Sequence, residues 1–186
     1  PHIHVIAYTD DTKVGYLSKN GVEQMRSALG NHIFRDDLQH VFREQTEKRN
    51  ELKKDWHALL EKILADMAEN PNTHPEIEAN LVELSFRLSR TKGKKVYGYL
   101  KRDIKDLIDE IVDLLAEYEN ISKLYDLWYE KKYEALRTYT SEMPPKIPLS
   151  QNKEFKSIKN DIIREAMRMS QLGEQKRESR TDSDTT

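Results

Sequence analysis

Trp56-His57-Ala58-Leu59-Leu60-Glu61-Lys62-Ile63-Leu64-Ala65-Asp66-Met67 is the stretch that decides the fold class. Its apolar residues stand at 56, 59, 60, 63, 64 and 67, steps of three and four that gather them on one side of a 3.6-residue helix. Toward the N-terminus, Val22, Met25, Leu29 and Ile33, then Phe34, Leu38, Val41 and Phe42, repeat the spacing. Between the two runs, residues 44–55 thin to polar side chains, with Gln45 and Lys48 at the expected apolar places. That gap reads as a solvated helix supported by pairs such as Glu44 with Lys48, each worth about 0.2–0.5 kcal/mol. Unbroken over residues 22–68, such a helix would be about 70 Å long at 1.5 Å per residue, long enough to project from a compact domain.

Working outward, Asn70-Pro71-Asn72 ends the run, because proline cannot continue the hydrogen-bond ladder and restricts the residue before it. Thr73-His74-Pro75-Glu76 has the form of a capping box, a Thr cap with Glu76 three residues on. Ile77, Leu81, Leu84 and Leu88 mark the next helix. Ile104, Leu107, Ile108, Ile111, Val112 and Leu115 mark another, and Ile121, Leu124, Leu127, Trp128 and Leu136 a third. Three prolines within Met143-Pro144-Pro145-Lys146-Ile147-Pro148 predict an extended linker. A last helix is expected over about residues 153–171, before a stretch without apolar residues that predicts a disordered tail.

The chain has 186 residues, 34% of them charged and 37% hydrophobic, with a mean hydropathy of −0.86. That is one domain, or one domain and an extension. Six Gly and six Pro argue against a loop-rich all-β fold. No run of about 18 uncharged apolar residues occurs, so no membrane span is expected. With no cysteine, disulfides, thiolate metal sites and Cys nucleophiles are excluded, which suits a cytoplasmic protein. A net charge of −2 excludes a uniformly basic nucleic-acid binder and leaves room only for a local basic surface.

The first nine residues, Pro1-His2-Ile3-His4-Val5-Ile6-Ala7-Tyr8-Thr9, alternate at period two, and Val14-Gly15-Tyr16-Leu17 follows a turn. They predict a β-hairpin over residues 1–17. A lone hairpin is marginal in water, and no partner strands follow. His2 and His4 share one face of this strand, about 6–7 Å apart along the backbone. Two imidazoles can share a divalent ion, but a stable site needs a third ligand. His32, His40, His57 and His74 are too scattered to supply it. The pair by itself is weak evidence.

Several blocks in order carry more weight. Pro1-His2-Ile3-His4-Val5, the hairpin, Lys19-Asn20-Gly21-Val22-Glu23 and Asn31-His32-Ile33-Phe34 resemble the third motif and following region of plasmid mobilisation relaxases of the MobL/MobA type. These belong to the HUH endonucleases, named for two histidines around a hydrophobic residue. Lys94-Lys95-Val96-Tyr97-Gly98-Tyr99-Leu100, Leu124-Tyr125-Asp126-Leu127-Trp128-Tyr129-Glu130 and Lys153-Glu154-Phe155-Lys156-Ser157-Ile158-Lys159-Asn160 extend the likeness to about residue 170. The resemblance implies nicking and rejoining of single-stranded DNA at a transfer origin through a phosphotyrosyl link, with relaxosome accessory proteins as further partners. It implies His2 and His4 as ligands of a divalent ion, Mg or Mn, that polarises the scissile phosphate. The family's nucleophilic tyrosine and third histidine precede the histidine pair, so no catalytic residue is expected in this chain. The chain is expected to be the C-terminal portion of a relaxase, inactive alone.

Residues 90–105 hold seven basic residues, Arg90, Lys92, Lys94, Lys95, Lys101, Arg102 and Lys105, against one acid, Asp103. With Tyr97 and Tyr99 interleaved, this segment can follow a phosphate backbone and stack an unpaired base. Arg90, Lys92, Lys94, Lys95, Tyr97, Lys101 and Arg102 are therefore the expected DNA contacts, although a solvated loop beside a helix start explains the charges equally well. The fold class expected is α+β, predominantly helical, in five segments: a residual hairpin of the relaxase sheet (1–17), an elongated helical accessory region without a single compact core (18–143), the Pro-rich linker (144–150), a C-terminal helix (151–172) and the tail (173–186). The competing reading is a non-enzymatic helical scaffold or adaptor.

Overall fold

The computed structural model describes residues 10, 18–33, 35–138, 140 and 142–183. Apolar periodicity becomes helix throughout: α1 (Lys19–Ile33), α2 (Arg35–Glu69), α3 (Pro75–Arg90), α4 (Arg102–Ala116), α5 (Glu119–Arg137) and α6 (Lys156–Ser183). Three single 3₁₀ turns, Tyr97–Tyr99, Leu149–Gln151 and Lys153–Phe155, tighten the connections. Among the described residues there is no strand. The β part of the expected α+β class rests on the hairpin over residues 1–17, which falls outside the described residues, as do His2 and His4. What is described is all helical. The last described turns of α6 run past Gly173, where composition placed the start of the tail.

Helices α2 to α6 share one core, which corrects the expectation of an elongated region without one. Leu52, Trp56, Leu60 and Ile63 of α2 meet Leu81, Leu84 and Leu88 of α3, Ile108, Ile111 and Leu115 of α4, Ile121 of α5 and Ile158, Ile162 and Ala166 of α6. Every one of these is 1% exposed or less. Elongation is confined to the N-terminal end. There α2 runs antiparallel to α5: Leu38 and Val41 meet Ala135, Glu44 meets Lys131 at 2.6 Å, and Arg49 lies beside Lys132 and Trp128. The apolar residues of α1 keep helical spacing but face no core among the described residues, Leu29 being 61% and Ile33 57% exposed.

The polar gap of α2 is solvated on one face, where Thr46, Glu47, Asn50 and Lys54 are exposed, and meets other elements on the other. Glu44 pairs across to α5 rather than with Lys48, Arg49 reaches Glu154 at 3.0 Å, and Leu52 is fully buried. Of the residues at the expected apolar places, Lys48 pairs with Glu51 of its own helix, while Glu44 and Arg49 beside them carry the ion pairs to α5 and to the Lys153–Phe155 turn. The capping box at α3 is also displaced. Pro75 occupies the first helical turn, so the cap is His74, whose side chain makes no capping bond. The Thr73 hydroxyl donates back to Asn70 O, and Glu78 rather than Glu76 accepts the N–H groups of Asn72 and His74. Asn72 takes a positive φ of 76°, which asparagine tolerates better than most residues.

The proline-rich segment is extended as expected but is fastened to α5. Tyr125 and Tyr133 donate to the carbonyls of Ile147 and Pro144, and Tyr129 accepts from Ile147 N–H. These tyrosines stand four residues apart on one face. Lys146 pairs with Asp126. The segment ends against α4, where Ser150 donates its N–H and hydroxyl to the two oxygens of Asp113.

Candidate nucleic-acid interface

Between α3 and α4 the chain reverses through residues 91–101, and Gly93 takes the left-handed conformation (φ 92°) that the reversal requires. Leu100 plugs into the core at 5% exposed, which fixes the Tyr97–Tyr99 turn above it. Two neighbours separate the tyrosines. Tyr97 is pinned: its N–H donates to Asn160 Oδ1 at 3.0 Å, its hydroxyl donates to Asp109 Oδ2 at 2.8 Å, and Lys159 Nζ lies 4.0 Å from its ring centroid. Burial pushes its phenol above the ordinary value, and the Asp109 carboxylate adds to this. Tyr99 is 73% exposed, with Lys94 Nζ 5.6 Å from its ring centroid.

Lys92, Lys94 and Lys101 are exposed and Lys95 is half-buried. Among the described residues none of the four forms an ion pair, whereas Arg102 pairs with Asp106 at 2.8 Å. Asp103 is met by Arg87 of α3 at 3.5 Å, so the segment's one acid is matched from outside it. Lys105 donates to Gly98 O and braces the turn. Arg90 lies 4.0 Å from the ring centroid of Phe86, itself 49% exposed. The structure thus brings together exposed cations and two exposed rings that each carry a cation. It pins Tyr97 within the fold and leaves Tyr99 exposed. Phe86 was missed in the sequence, although its i, i+4 spacing to Arg90 signalled the pair.

The histidines described do not gather. His32 and His40 are exposed, His57 lies 3.4 Å from Asp161, and His74 sits between Tyr118 Oη at 2.7 Å and Asp66 at 3.4 Å. Among the described residues no group of three His, Cys, Asp or Glu side chains could hold a metal ion. The tyrosines described, Tyr99 apart, are engaged in hydrogen bonds within the fold, and burial raises the phenols of Tyr97, Tyr118 and Tyr125. A lowered pKa, one of the ways a phenol is made nucleophilic, is found at none of these three.

The family profile of MobL relaxases matches the chain over residues 1–186. The chain belongs to the MobL relaxase family. Searches of curated proteins and of solved structures returned no match to it. In this MobL relaxase chain no helix among the described residues is long and apolar enough to cross a membrane. The helical region that carries the basic turn is therefore part of a protein of the DNA mobilisation machinery, and its exposed cations are read in that setting.

Proposed function

We propose that this chain guides single-stranded transfer-origin DNA across its basic turn while the relaxase nicks and rejoins the strand through a phosphotyrosyl link. The match to MobL relaxases over the whole chain carries the reading. Lys92, Lys94 and Lys101, exposed and without an ion pair among the described residues, and the exposed Tyr99 near Lys94 support the DNA path, lysines meeting phosphates and the ring stacking on a base. Stacking is assigned to Tyr99 in place of Tyr97. His2 and His4 are assigned to a divalent ion, Mg or Mn, which supplies Lewis-acid polarisation of the scissile phosphate. None of the described tyrosines is assigned as the nucleophile. Relaxosome accessory proteins and a cytoplasmic setting complete the proposal.

The test is fluorescence anisotropy of a labelled single-stranded oligonucleotide over a salt series. The triple variant Lys92→Gln/Lys94→Gln/Lys101→Gln should flatten the slope of log K against log salt by about 2, at roughly 0.7 per phosphate contact on a single strand. Tyr99→Ala should weaken binding by about 1–3 kcal/mol without changing the slope. An unchanged slope in the triple variant would refute the DNA path. The exposed apolar residues of α1, Val22, Met25, Leu29 and Ile33, favour the scaffold reading, which predicts no salt-dependent affinity for DNA at all. For the metal, His2→Ala/His4→Ala should abolish Mn binding followed by paramagnetic relaxation; retained binding would overturn that assignment.

A further inference from the structure

We infer that Phe86 and Arg90, stacked on each other at the C-terminal end of α3, form a second base-stacking station for single-stranded DNA. The inference rests on the DNA path proposed above and carries it from the basic turn onto α3. Phe86 stands four residues before Arg90, the last residue of the helix, so both side chains share one face. Phe86 is 49% exposed, and Arg90 is exposed as well. The Arg90 guanidinium carbon lies 4.0 Å from the Phe86 ring centroid, too close for an approach at the ring edge. The flat cation therefore rests on the ring face.

Arg90 is not taken up by the helix end, where a terminal arginine commonly meets the last carbonyls. Those carbonyls have other partners. The Ser89 hydroxyl donates to Phe86 O and the Thr91 hydroxyl to Arg87 O, each at 2.8 Å, and the Thr91 N–H donates to Leu88 O at 3.1 Å. Glu83 of α3 and Asp103 of α4 both meet Arg87, at 2.6 and 3.5 Å. Among the described residues Arg90 forms no ion pair, so its charge is held by the ring and by nothing of opposite sign.

A guanidinium fixed on an aromatic ring offers an outer face on which a flat base stacks and a rim of N–H groups that bond phosphate oxygens. Only a single strand presents unpaired bases to such a face. Exposed cations continue from Arg90 through Lys92 and Lys94 to Lys101, with Phe86 before the run and Tyr99 within it. That alternation of positive charge and open rings matches a polyanion that carries flat bases. An apolar protein face would leave the same cations without partners. Arg90 is then the contact with DNA, and Phe86 is a positioning residue that holds the guanidinium in place.

Anisotropy of a labelled single-stranded oligonucleotide on the intact chain tests this. Phe86→Ala should weaken binding about tenfold with the salt slope unchanged, and Phe86→Tyr, which keeps the ring, should bind as the wild type does. Arg90→Lys, which keeps the charge but loses the flat face, should weaken binding about as much. Arg90→Gln should in addition flatten the slope by about 0.7. With Arg90→Lys already in place, Phe86→Ala should cost no more than about a further twofold, because the two residues act as one unit. Wild-type affinity in Phe86→Ala, alongside a slope that the three-lysine variant does flatten, would overturn this inference and leave the DNA path standing. Phe86 and Val82, 55% exposed, would then be a strip for a protein partner. Phe86→Tyr binding as weakly as Phe86→Ala would overturn the inference too. Wild-type binding without any dependence on salt would bring down the path and this inference together.

Discussion

Glu78 accepts the backbone N–H groups of Asn72 and His74, each at 2.8 Å, and thereby closes the turn that leads into α3. Those donors, His74 first, hold its carboxyl below the ordinary carboxylate range. A carboxylate whose folded pKa is depressed gives stability that is full above the unfolded value of about 4.3 and is lost as pH falls through the folded value. Thermal melts from pH 7 to pH 3 should therefore show a lower melting temperature for Glu78→Gln at pH 7, with the gap to the wild type closing toward pH 3. A gap that stays constant would mean that the carboxylate's charge is not what closes the turn. A second single-residue effect sits behind the basic turn. Lys159, whose side chain is 8% exposed, pairs with Asp109 at 2.6 Å, and Asp109 also takes the Tyr97 hydroxyl. Asp109→Ala leaves that ammonium buried without its partner. The expected cost is about 2 kcal/mol by urea denaturation, below the usual 3–5 because Asp109 keeps some contact with water. The double variant Asp109→Leu/Lys159→Met should recover part of it.

At the scale of elements, the proline-rich segment is held by hydrogen bonds to α5 and not by its own secondary structure. Tyr125 has the central place, donating to Ile147 O and accepting from Asn152 Nδ2, with Phe155 and Tyr129 edge-on to its ring. Tyr125→Phe keeps the packing and leaves two polar partners unsatisfied. The expected loss is about 1–3 kcal/mol, with faster amide exchange at Ile147 and Ser150 and little change within α3. Exchange unaltered at those amides would show that the prolines alone hold the segment. The helix pattern of α5 was legible from Ile121, Leu124 and Trp128, but nothing in it signalled the hydrogen bonds of its tyrosines. Their hydroxyl partners lie up to 27 residues away, a separation that local periodicity does not encode.

For the whole molecule, burial divides the apolar residues into two populations that look alike in sequence. Ile108 is fully buried among α3, α4 and α6, whereas Leu29 on α1 is 61% exposed. Ile108→Ala should cost about 2–5 kcal/mol of unfolding free energy. Leu29→Gln should change it by no more than about 0.5 kcal/mol. Equal losses in chemical denaturation would show that α1 belongs to the cooperative core. The same division separates Trp56, fully buried, from Phe42, 46% exposed, although both stand on apolar repeats of one helix.

The sequence by itself determined the helices, their approximate ends apart from the C-terminal end of α6, and their apolar faces, because three- and four-residue spacing and proline act within a few residues of one another. It also carried the family, through ordered blocks that the profile match extends over the whole chain, and the excess of positive charge in residues 90–105. The tertiary structure alone decided which faces are buried, that Tyr97 is pinned by Asp109 and Asn160 while Tyr99 stays open, and that Glu44 and Arg49 reach across to Lys131 and Glu154. Each of those outcomes depends on a partner far along the chain. A helix's own period fixes where a side chain points but not what it meets, and that is set when six separate segments pack together.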